Sequence, residues 1–313
     1  MPRYRNALPQ LSGDMFLTDA GLETDLIFNH GVEIPAFAAH TLLPSIEGRA
    51  AIGRYFEGFL DLAGKSNAGF ILDSATWKAH RHWARELNSD PVELRAANQE
   101  SIGFISELRD RFSHNAKPIV LNAIIGPCGD AYRPEAAIST DQAEAYHAEQ
   151  LGWIADTEAD MVTAVTFNQA SEAAGLVRAA RSAGLPAAVS FTVETDGALP
   201  NGQSLADAIT EVDEASNCYP AYFMINCAHP EHFSKVLGDS PWARRIRGVR
   251  ANASRKSHAE LDEAPELDAG DPVEMAGQYR ELEQRMPWLN IFGGCCGTDL
   301  RHVKAIAGAV RPR

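Results

Sequence analysis

Short apolar runs that end in glycine or small polar residues recur along the whole chain. They are rich in β-branched residues and lack strict alternation of polar and apolar positions, which is typical of parallel strands buried on both faces. Eight such runs are MFLTDAG (15–21), GFILDSAT (69–76), PIVLNAIIGP (118–127), DMVTAVTFN (160–168), PAAVSFTVETDG (186–197), AYFMINCAHP (221–230), RIRGVRANAS (245–254) and LNIFGGCCGT (289–298). The pattern predicts eight buried parallel strands.

Segments with a helical period lie between these runs, and four of them begin at recognisable helix starts. Asp90-Pro91, Ser139-Thr140-Asp141, Asp271-Pro272 and Thr298-Asp299 each precede such a segment, because a polar cap and an early proline favour the first helical turn. Strands that alternate with helices predict an α/β fold, a single (β/α)8 TIM barrel over residues 1–313 with an N-terminal extension of about 14 residues. A doubly wound open sheet is the alternative, but no Gly-x-Gly-x-x-Gly motif follows any run.

The composition is that of an ordinary globular protein, with 45% hydrophobic and 22% charged residues. A formal net charge of -14 would repel phosphates, so we expect no nucleic-acid or membrane partner. No apolar run approaches the ~20 residues that cross a bilayer, and the amino terminus has no signal-peptide core. Five cysteines are too few for a disulfide scaffold and indicate reduced thiols in the cytoplasm. We expect small-molecule substrates and a monomer or a small homo-oligomer.

Two adjacent cysteines, Cys295 and Cys296, stand between glycines in the eighth run, and Cys227 ends the sixth. In a (β/α)8 barrel the carboxyl ends of strands six and eight lie on one rim, so the three thiols should converge there. Three protein ligands and one open position are typical of a catalytic zinc. The flanking glycines at 293, 294 and 297 would give adjacent ligands the backbone freedom they need. Cysteines that only pack, or a vicinal disulfide, are the alternatives.

Several histidines are weaker signals for a site. His147 and His258 each stand in a His-x-Glu pattern, but the chain has no Cys-x-x-Cys motif to complete a deaminase site. We therefore expect both to be exposed helix or loop residues. The run WKAHRHW (77–83) is expected to be a solvent-facing loop, and His229 is expected to cap a loop.

A zinc ion with three thiolates and one open position favours one kind of chemistry. The three negative charges weaken the metal as an acid for activating water, so hydrolysis is a poor match. Binding of a substrate thiol is a better match, since a free thiol has a pKa of about 8.5 and is mostly protonated at neutral pH. Zinc coordination would remove that proton and leave a nucleophilic sulfur. The pattern therefore predicts alkyl transfer to a thiol.

Several short motifs resemble the homocysteine S-methyltransferase family, whose members include betaine–homocysteine methyltransferase and the homocysteine module of cobalamin-dependent methionine synthase. The motifs are TDAGLETDL (18–26), GPCGD (126–130), INCAHP (225–230), RANAS (250–254) and GGCCGT (293–298). The resemblance implies a (β/α)8 barrel in which Cys227, Cys295 and Cys296 bind Zn²⁺. It also implies methyl transfer to the thiol of homocysteine, which gives methionine.

The resemblance further implies where the acceptor would bind. The turn formed by residues 19–21 would hold the amino and carboxylate groups of the amino acid, partly through backbone N–H groups. Relatives often carry Glu-Thr at the end of strand four, where this chain has Val165-Thr166, so Glu23 or Glu194 would supply the missing carboxylate. The expected substrate-binding residues are Asp19, Ala20, Gly21, Glu23, Thr166, Glu194 and Asn252.

The methyl donor is less constrained by the sequence. Likeness to stand-alone members of the family favours a small onium donor, S-methylmethionine first and S-adenosylmethionine second, whose positive sulfur would be stabilised by aromatic faces. The expected donor-pocket residues are Trp77, Tyr132 and Phe191, with Trp83 nearby. Two alternatives remain: a thiol-binding subunit that works with a separate corrinoid protein, and a methyltransferase for a different thiol.

Overall fold

The computed structural model describes residues 1–116, 118–132, 137–262 and 266–310, and within them eight parallel strands close into a barrel in chain order. The strands are β1 Phe16–Leu17, β2 Gly69–Asp73, β3 Ile119–Ile125, β4 Met161–Phe167, β5 Ala187–Phe191, β6 Tyr222–Asn226, β7 Ile246–Ala251 and β8 Ile291–Gly294. Strand β8 pairs with β1 and so closes the sheet. Each strand lies inside one of the predicted runs, and the predicted (β/α)8 barrel is confirmed.

Helices connect the strands and cover the outside of the barrel. They are α1 Leu22–Thr24, α2 Ile46–Lys65, α3 Pro91–Phe112, α4 Thr140–Ala155, α5 Ala170–Ser182, α6 Leu205–Ser216, α7 Pro230–Phe233, α8 His258–Asp262, α9 Pro272–Arg285 and α10 Leu300–Ala309. The four predicted starts are confirmed, because Asp90, Ser139, Asp271 and Asp299 each accept hydrogen bonds from the first turn of the helix that follows. No helix in the described ranges is long and apolar enough to span a bilayer.

Two apolar layers hold the barrel together. The larger one lies between the strands and the helices and includes Phe59, Leu121 and Phe223. The smaller one fills the amino-terminal half of the barrel interior, and its members are Leu8, Phe16, Ile71, Val120, Met161, Ala188, Tyr222, Met224 and Ile291. Successive strand residues point to opposite faces of the sheet, so alternate positions supply the two layers in every strand except β7, whose inward position near Met224 is Gly248.

The residues before β1 cover the amino-terminal end of the barrel. The backbone N–H of Tyr4 donates to the Asp160 carboxylate at 2.7 Å, and the fully buried Gln10 contacts the Met161 sulfur at 3.1 Å. Asn290 donates to the Gln10 carbonyl oxygen at 2.8 Å. These contacts close the lower end, so that the carboxyl ends of the strands form the accessible face.

Candidate metal and substrate site

Three thiol groups meet at the carboxyl ends of β6 and β8. Cys227 follows β6, and Cys295 and Cys296 follow β8. Their sulfur atoms all lie within 4.8 Å of one another, with Cys227 Sγ 2.9 Å from Cys295 Sγ and 3.6 Å from Cys296 Sγ. A tetrahedral zinc with Zn–S bonds of about 2.3 Å separates its sulfur ligands by about 3.8 Å. The separation of Cys227 from Cys296 is close to that value and that of Cys227 from Cys295 is shorter, so three thiolates on this rim fit a zinc ion after a small outward shift of one sulfur.

The turn that carries Cys227 is strained and is held by hydrogen bonds. Cys227 has a φ angle of 56°, which is unfavourable for a residue other than glycine. Its carbonyl oxygen accepts hydrogen bonds from Asn252 Nδ2 at 3.1 Å and from His258 Nε2 at 2.6 Å. The other ring nitrogen of His258 lies 3.2 Å from the Glu194 carboxylate. Asn252 and Glu194, both predicted to bind substrate, therefore support the turn that carries a thiol.

The glycines beside the adjacent cysteines are required for two different reasons. Gly297 has a φ angle of 77°, so it uses the conformational freedom that only glycine has at no steric cost. Gly293 and Gly294 lie outside the positive-φ region, and the predicted need for freedom is wrong there. They are required for space, because a Cβ on Gly293 would lie 1.9 Å from Thr18 Oγ1.

The surroundings of the thiols favour an ionised sulfur at Cys295. Hydrogen bonding with the Cys227 and Cys296 thiols, together with the charge of Arg250, holds the pKa of Cys295 well below its usual range. The pKa values of the other two thiols are raised well above the usual value, that of Cys227 first by its hydrogen bond with Cys295 and that of Cys296 first by its hydrogen bond with Cys227. The Tyr132 hydroxyl lies 2.9 Å from Cys227 Sγ, so a predicted donor-pocket residue contacts a thiol directly.

Arg250 lies at the centre of the site, and the sequence analysis missed it. Its guanidinium pairs with Asp19 at 2.5 Å and also with Asp73, and all three side chains are almost completely buried. Burial raises the pKa of Asp19 to about 7 against the attraction of Arg250. The signal for Arg250 was its position two residues after Gly248 on β7, which places both on the inward face of the strand.

Thr166, the second-last residue of β4, lies in a second strained stretch of backbone. It has a φ angle of 63°, and the register between β4 and β5 shifts between Val165 and Phe167. Asn226 holds this stretch, because its Oδ1 accepts from the Thr166 backbone N–H at 3.0 Å and its Nδ2 donates to Thr166 Oγ1 at 2.7 Å. The end of β4 therefore presents a hydroxyl and an apolar side chain to the site, and no carboxylate.

A cavity of about 300 Å³ opens above the thiols, at the lower end of the range for small-molecule pockets. The predicted residues that line it with the three cysteines are Asp19, Ala20, Gly21, Glu23, Thr166, Trp77 and Tyr132. Other lining residues include Asp73, Lys78, Trp83, Asp130, Val165, Asn226 and Arg250. Glu194 and Asn252 do not line it, because they lie behind the Cys227 turn.

Phe191 lies away from the cavity. On β5, Ala188 belongs to the interior layer and Ser190 faces the barrel interior, so Phe191 points toward the helices. It is fully buried and stacks on Phe223 with ring centroids 6.2 Å apart. In this position Phe191 cannot provide the contact with a methyl donor that the sequence analysis predicted.

The aromatic faces at the rim of the cavity already contact a cation. The Lys78 ammonium lies 3.7 Å from the ring centroid of Trp83 and 5.5 Å from that of Trp77. The same ammonium donates a hydrogen bond to the Ala36 carbonyl oxygen at 2.7 Å, and burial lowers the pKa of Lys78. The two indole rings that were expected to face a cationic methyl donor therefore face the ammonium group of Lys78 instead.

The histidines that were weighed as possible site residues make structural contacts instead. His147 is buried and its Nε2 lies 3.0 Å from Glu172, and His80 of the 77–83 run is buried against a tyrosine hydroxyl at 2.6 Å. The prediction that these residues are exposed is wrong, and it is also wrong for His258, whose side chain is only 8% exposed. His229 was expected to cap a loop, and it caps the start of α7, because its ring accepts a hydrogen bond from a backbone N–H of that helix. In the part of the chain that the structure describes, only the three thiols form a group of three or more metal-binding side chains.

The geometry combines three converging thiols with a cavity whose wall carries both signs of charge. The sequence matches the family described as homocysteine S-methyltransferase over residues 16–310. Homocysteine S-methyltransferase YbgG of Bacillus subtilis (strain 168) is 24% identical over 246 residues, which are 70% of this chain and 72% of that protein.

Crystal structures of the homocysteine methyltransferase MmuM from Escherichia coli have a similar fold. The oxidized form superposes with a TM-score of 0.73 at 18% identity and covers 98% of this chain and 99% of its own. The metallated form gives 0.72 at 19% identity, with coverage of 97% and 99%. Because the family match spans nearly the whole sequence, the chain belongs to the homocysteine S-methyltransferase family and is a methyltransferase.

Proposed function

We propose that the protein transfers a methyl group from a small onium donor, S-methylmethionine or S-adenosylmethionine, to the thiol of homocysteine and so forms methionine. In this proposal Cys227, Cys295 and Cys296 bind Zn²⁺, and the protein works in the cytoplasm, where thiols stay reduced. The observation that carries the proposal is the approach of three sulfurs to within 4.8 Å at the floor of a cavity. The names of the Bacillus subtilis and Escherichia coli relatives, one of them solved in a metallated form, support it.

Bound by three cysteines, Zn²⁺ would supply deprotonation of a substrate thiol at neutral pH while leaving its sulfur nucleophilic. The residues around the thiols support such a site. Tyr132 can donate its hydroxyl hydrogen to Cys227 Sγ, and Arg250 brings positive charge to Cys295. Asn252 and His258 fix the Cys227 turn through its carbonyl oxygen, since outer partners of this kind orient metal ligands.

In the proposed reaction a methyl group moves between two sulfur atoms. The acceptor thiol loses its proton, its sulfur forms a bond to the methyl carbon, and the bond from that carbon to the positive sulfur of the donor breaks. The donor leaves as a neutral thioether. Burial raises the pKa of Glu23 to about 7, with a further contribution from Cys295, and a cation in the cavity would favour its ionised form.

The proposal is tested by product formation from isotopically labelled homocysteine. The zinc-loaded protein is incubated with labelled homocysteine and each donor in turn, and mass spectrometry detects labelled methionine, which distinguishes it from methionine released by S-methylmethionine. We expect labelled methionine without any second protein. If labelled methionine forms only after a methylated corrinoid protein is added, the stand-alone reaction is refuted in favour of the corrinoid alternative.

Single cysteine variants test the role of the thiols. Cys295→Ser should lose both bound zinc and turnover, because a three-cysteine site with one hydroxyl no longer matches the ligands that zinc prefers. The matched control is Cys218→Ser, since Cys218 is exposed and lies outside the thiol group. It should keep zinc and activity. A Cys295→Ser protein that is active and fully loaded with zinc would contradict the proposed metal site.

A further inference from the structure

Most charged groups of the cavity already have partners within the protein. Arg250 pairs with both Asp19 and Asp73. Asp130 accepts a hydrogen bond from the backbone N–H of Tyr132 at 2.8 Å. These contacts hold the barrel rim together. Two other lining residues of opposite charge, Glu23 and Lys78, have no such ion-pair partner among the described residues.

Glu23 lines the same cavity as the thiols and has no cationic partner among the residues that the structure describes. Its helix α1 is tied to the loop after β8 at both ends, since the Gly21 N–H donates to the Thr298 carbonyl oxygen at 3.3 Å and the Gly297 N–H donates to Thr24 Oγ1 at 3.2 Å. Among the described residues no lysine, arginine or histidine lies within 4.0 Å of its carboxylate. Partly buried carboxylates are costly without a positive partner, so this side chain is suited to bind a cation.

Lys78 lies on the wall of the same cavity and has no anionic partner in the described part of the chain. Its ammonium is held between the Ala36 carbonyl oxygen and the face of Trp83, and these two contacts leave one of its three N–H donors available. The charges of Glu23 and Lys78 act on each other, although no ion pair joins them. The cavity therefore presents one negative and one positive group to the same ligand.

Among the described residues, the backbone N–H groups of residues 20 and 21 and the position on β4 that relatives use for a carboxylate are engaged or apolar. The Ala20 N–H donates to the Tyr55 hydroxyl at 3.0 Å, and the Gly21 N–H donates to Thr298, so neither is available to a carboxylate. Val165 lies near the end of β4 and carries no charge. In the part of the chain that the structure describes, Glu23 and Lys78 are therefore the lining pair of opposite charge without an ion-pair partner that a zwitterionic ligand above the thiols could use.

We propose that Glu23 binds the α-ammonium group and Lys78 the α-carboxylate of the acceptor thiol, so that this pair selects an amino acid over a simple thiol. The inference rests on the proposed function, since it concerns the acceptor in that reaction. It assigns recognition to residues on the α1 turn and in the loop after β2.

Three thiols of equal reach test the pair: homocysteine, 4-mercaptobutyrate, which lacks the ammonium group, and 3-mercaptopropylamine, which lacks the carboxylate. Their dissociation constants for the zinc-loaded protein are measured by isothermal titration calorimetry without a methyl donor. A hydrogen bond to a charged group is worth a change of about 10- to 100-fold in affinity, so homocysteine should bind better than each analogue by that factor.

The variants should separate the two charges. Glu23→Gln should weaken the binding of homocysteine about 10- to 100-fold and leave the affinity for 4-mercaptobutyrate unchanged, because that analogue has no ammonium group for Glu23 to bind. Lys78→Met should weaken the binding of homocysteine similarly and leave the affinity for 3-mercaptopropylamine unchanged, because that analogue has no carboxylate. The unchanged analogue also reports that each variant is folded and binds zinc. The exposed residues Glu107 and Lys65 provide matched controls as Glu107→Gln and Lys65→Met, which should bind all three thiols as the unsubstituted protein does.

The outcomes separate this inference from the proposed function. If homocysteine binds tightly and both variants keep the full preference over the analogues, the recognition pair is refuted and the reaction stands. If each variant weakens the binding of all three thiols equally, the residues act on the thiol site as a whole and the recognition pair is likewise refuted. If the unsubstituted protein does not bind homocysteine, the proposed acceptor fails and the inference fails with it.

Discussion

Replacing Arg250 with methionine should destabilise the protein more than any comparable surface change. The substitution keeps most of the length of the side chain but removes the cation that pairs with Asp19 and Asp73, each only 3% exposed. Removing one partner of a buried ion pair leaves an uncompensated charge and costs about 3–5 kcal/mol. We expect the free energy of unfolding at pH 8 to fall by about that amount.

The chain supplies a matched control in Arg255. This arginine also bridges two carboxylates, Glu231 at 2.9 Å and Glu274, but 50% of its side chain is exposed, against 12% for Arg250. Because water screens an exposed pair and competes for its hydrogen bonds, Arg255→Met should leave the stability unchanged within error. The two variants therefore compare the same substitution at a buried and an exposed bridge.

The pH dependence gives the Arg250 prediction a second test. Burial already raises the pKa of Asp19 to about 7, although Arg250 opposes the shift, and without the arginine the pKa should rise further. A carboxyl group whose pKa is higher in the folded state than in the unfolded state contributes stability below its unfolded value, and that contribution is lost as the pH rises through the folded value. The loss caused by Arg250→Met should therefore be larger at pH 8 than at pH 5.

The assay is guanidinium denaturation followed by tryptophan fluorescence, with stability taken from the midpoint at a constant slope. Equal losses in Arg250→Met and Arg255→Met would refute the reasoning about burial. If Arg250→Met lowers the free energy of unfolding at pH 5 as much as at pH 8, the proposed cost of an unpaired, ionised Asp19 is refuted.

Three further changes test other parts of the structure. Gly293→Ala places a Cβ 1.9 Å from Thr18 Oγ1 and should lower the free energy of unfolding by about 1–3 kcal/mol. Gly103→Ala in the open interior of α3 should raise it by about 0.5–1 kcal/mol, and both changes are measured by chemical denaturation. Burial lowers the pKa of His40 to about 4, so its stabilising contribution is present above pH 6.5 and is lost as the pH falls toward 4. When the pH is lowered from 7 to 5, the free energy of unfolding of His40→Leu should therefore fall by about 2 kcal/mol less than that of the unsubstituted protein. Tyr132→Phe removes the hydroxyl beside Cys227 and should weaken zinc binding about 10- to 100-fold in a chelator competition, without unfolding the protein.

The convergence of the thiols could be predicted from the sequence, whereas the ion pairs of Arg250 could not. Parallel strands end on one rim, so cysteines at the ends of β6 and β8 had to lie near each other once the barrel was inferred. Arg250 pairs with Asp19, which is 231 positions away in the chain, and with Asp73, which is 177 positions away. No local pattern identifies such partners, although the period of two on β7 did indicate that the arginine points inward.

Two errors in the sequence analysis had a local signal that could have prevented them. His147 lies four residues from both Ala143 and Leu151 on α4, and all three are buried on one helix face. Phe191 lies an odd number of positions from the inward Ala188 on β5 and so had to face the helices. The contact of Lys78 with the two indole rings had no such signal, because the loop after β2 has no regular period.

X-ray absorption at the zinc edge, before and after addition of homocysteine, tests the central claim most directly. We predict one zinc per chain bound by three sulfur atoms at about 2.3 Å and one lighter ligand, with conversion to four sulfur atoms when homocysteine is present. A protein that retains no zinc after careful purification would contradict the claim. So would a zinc site whose sulfur count stays the same when the thiol is bound.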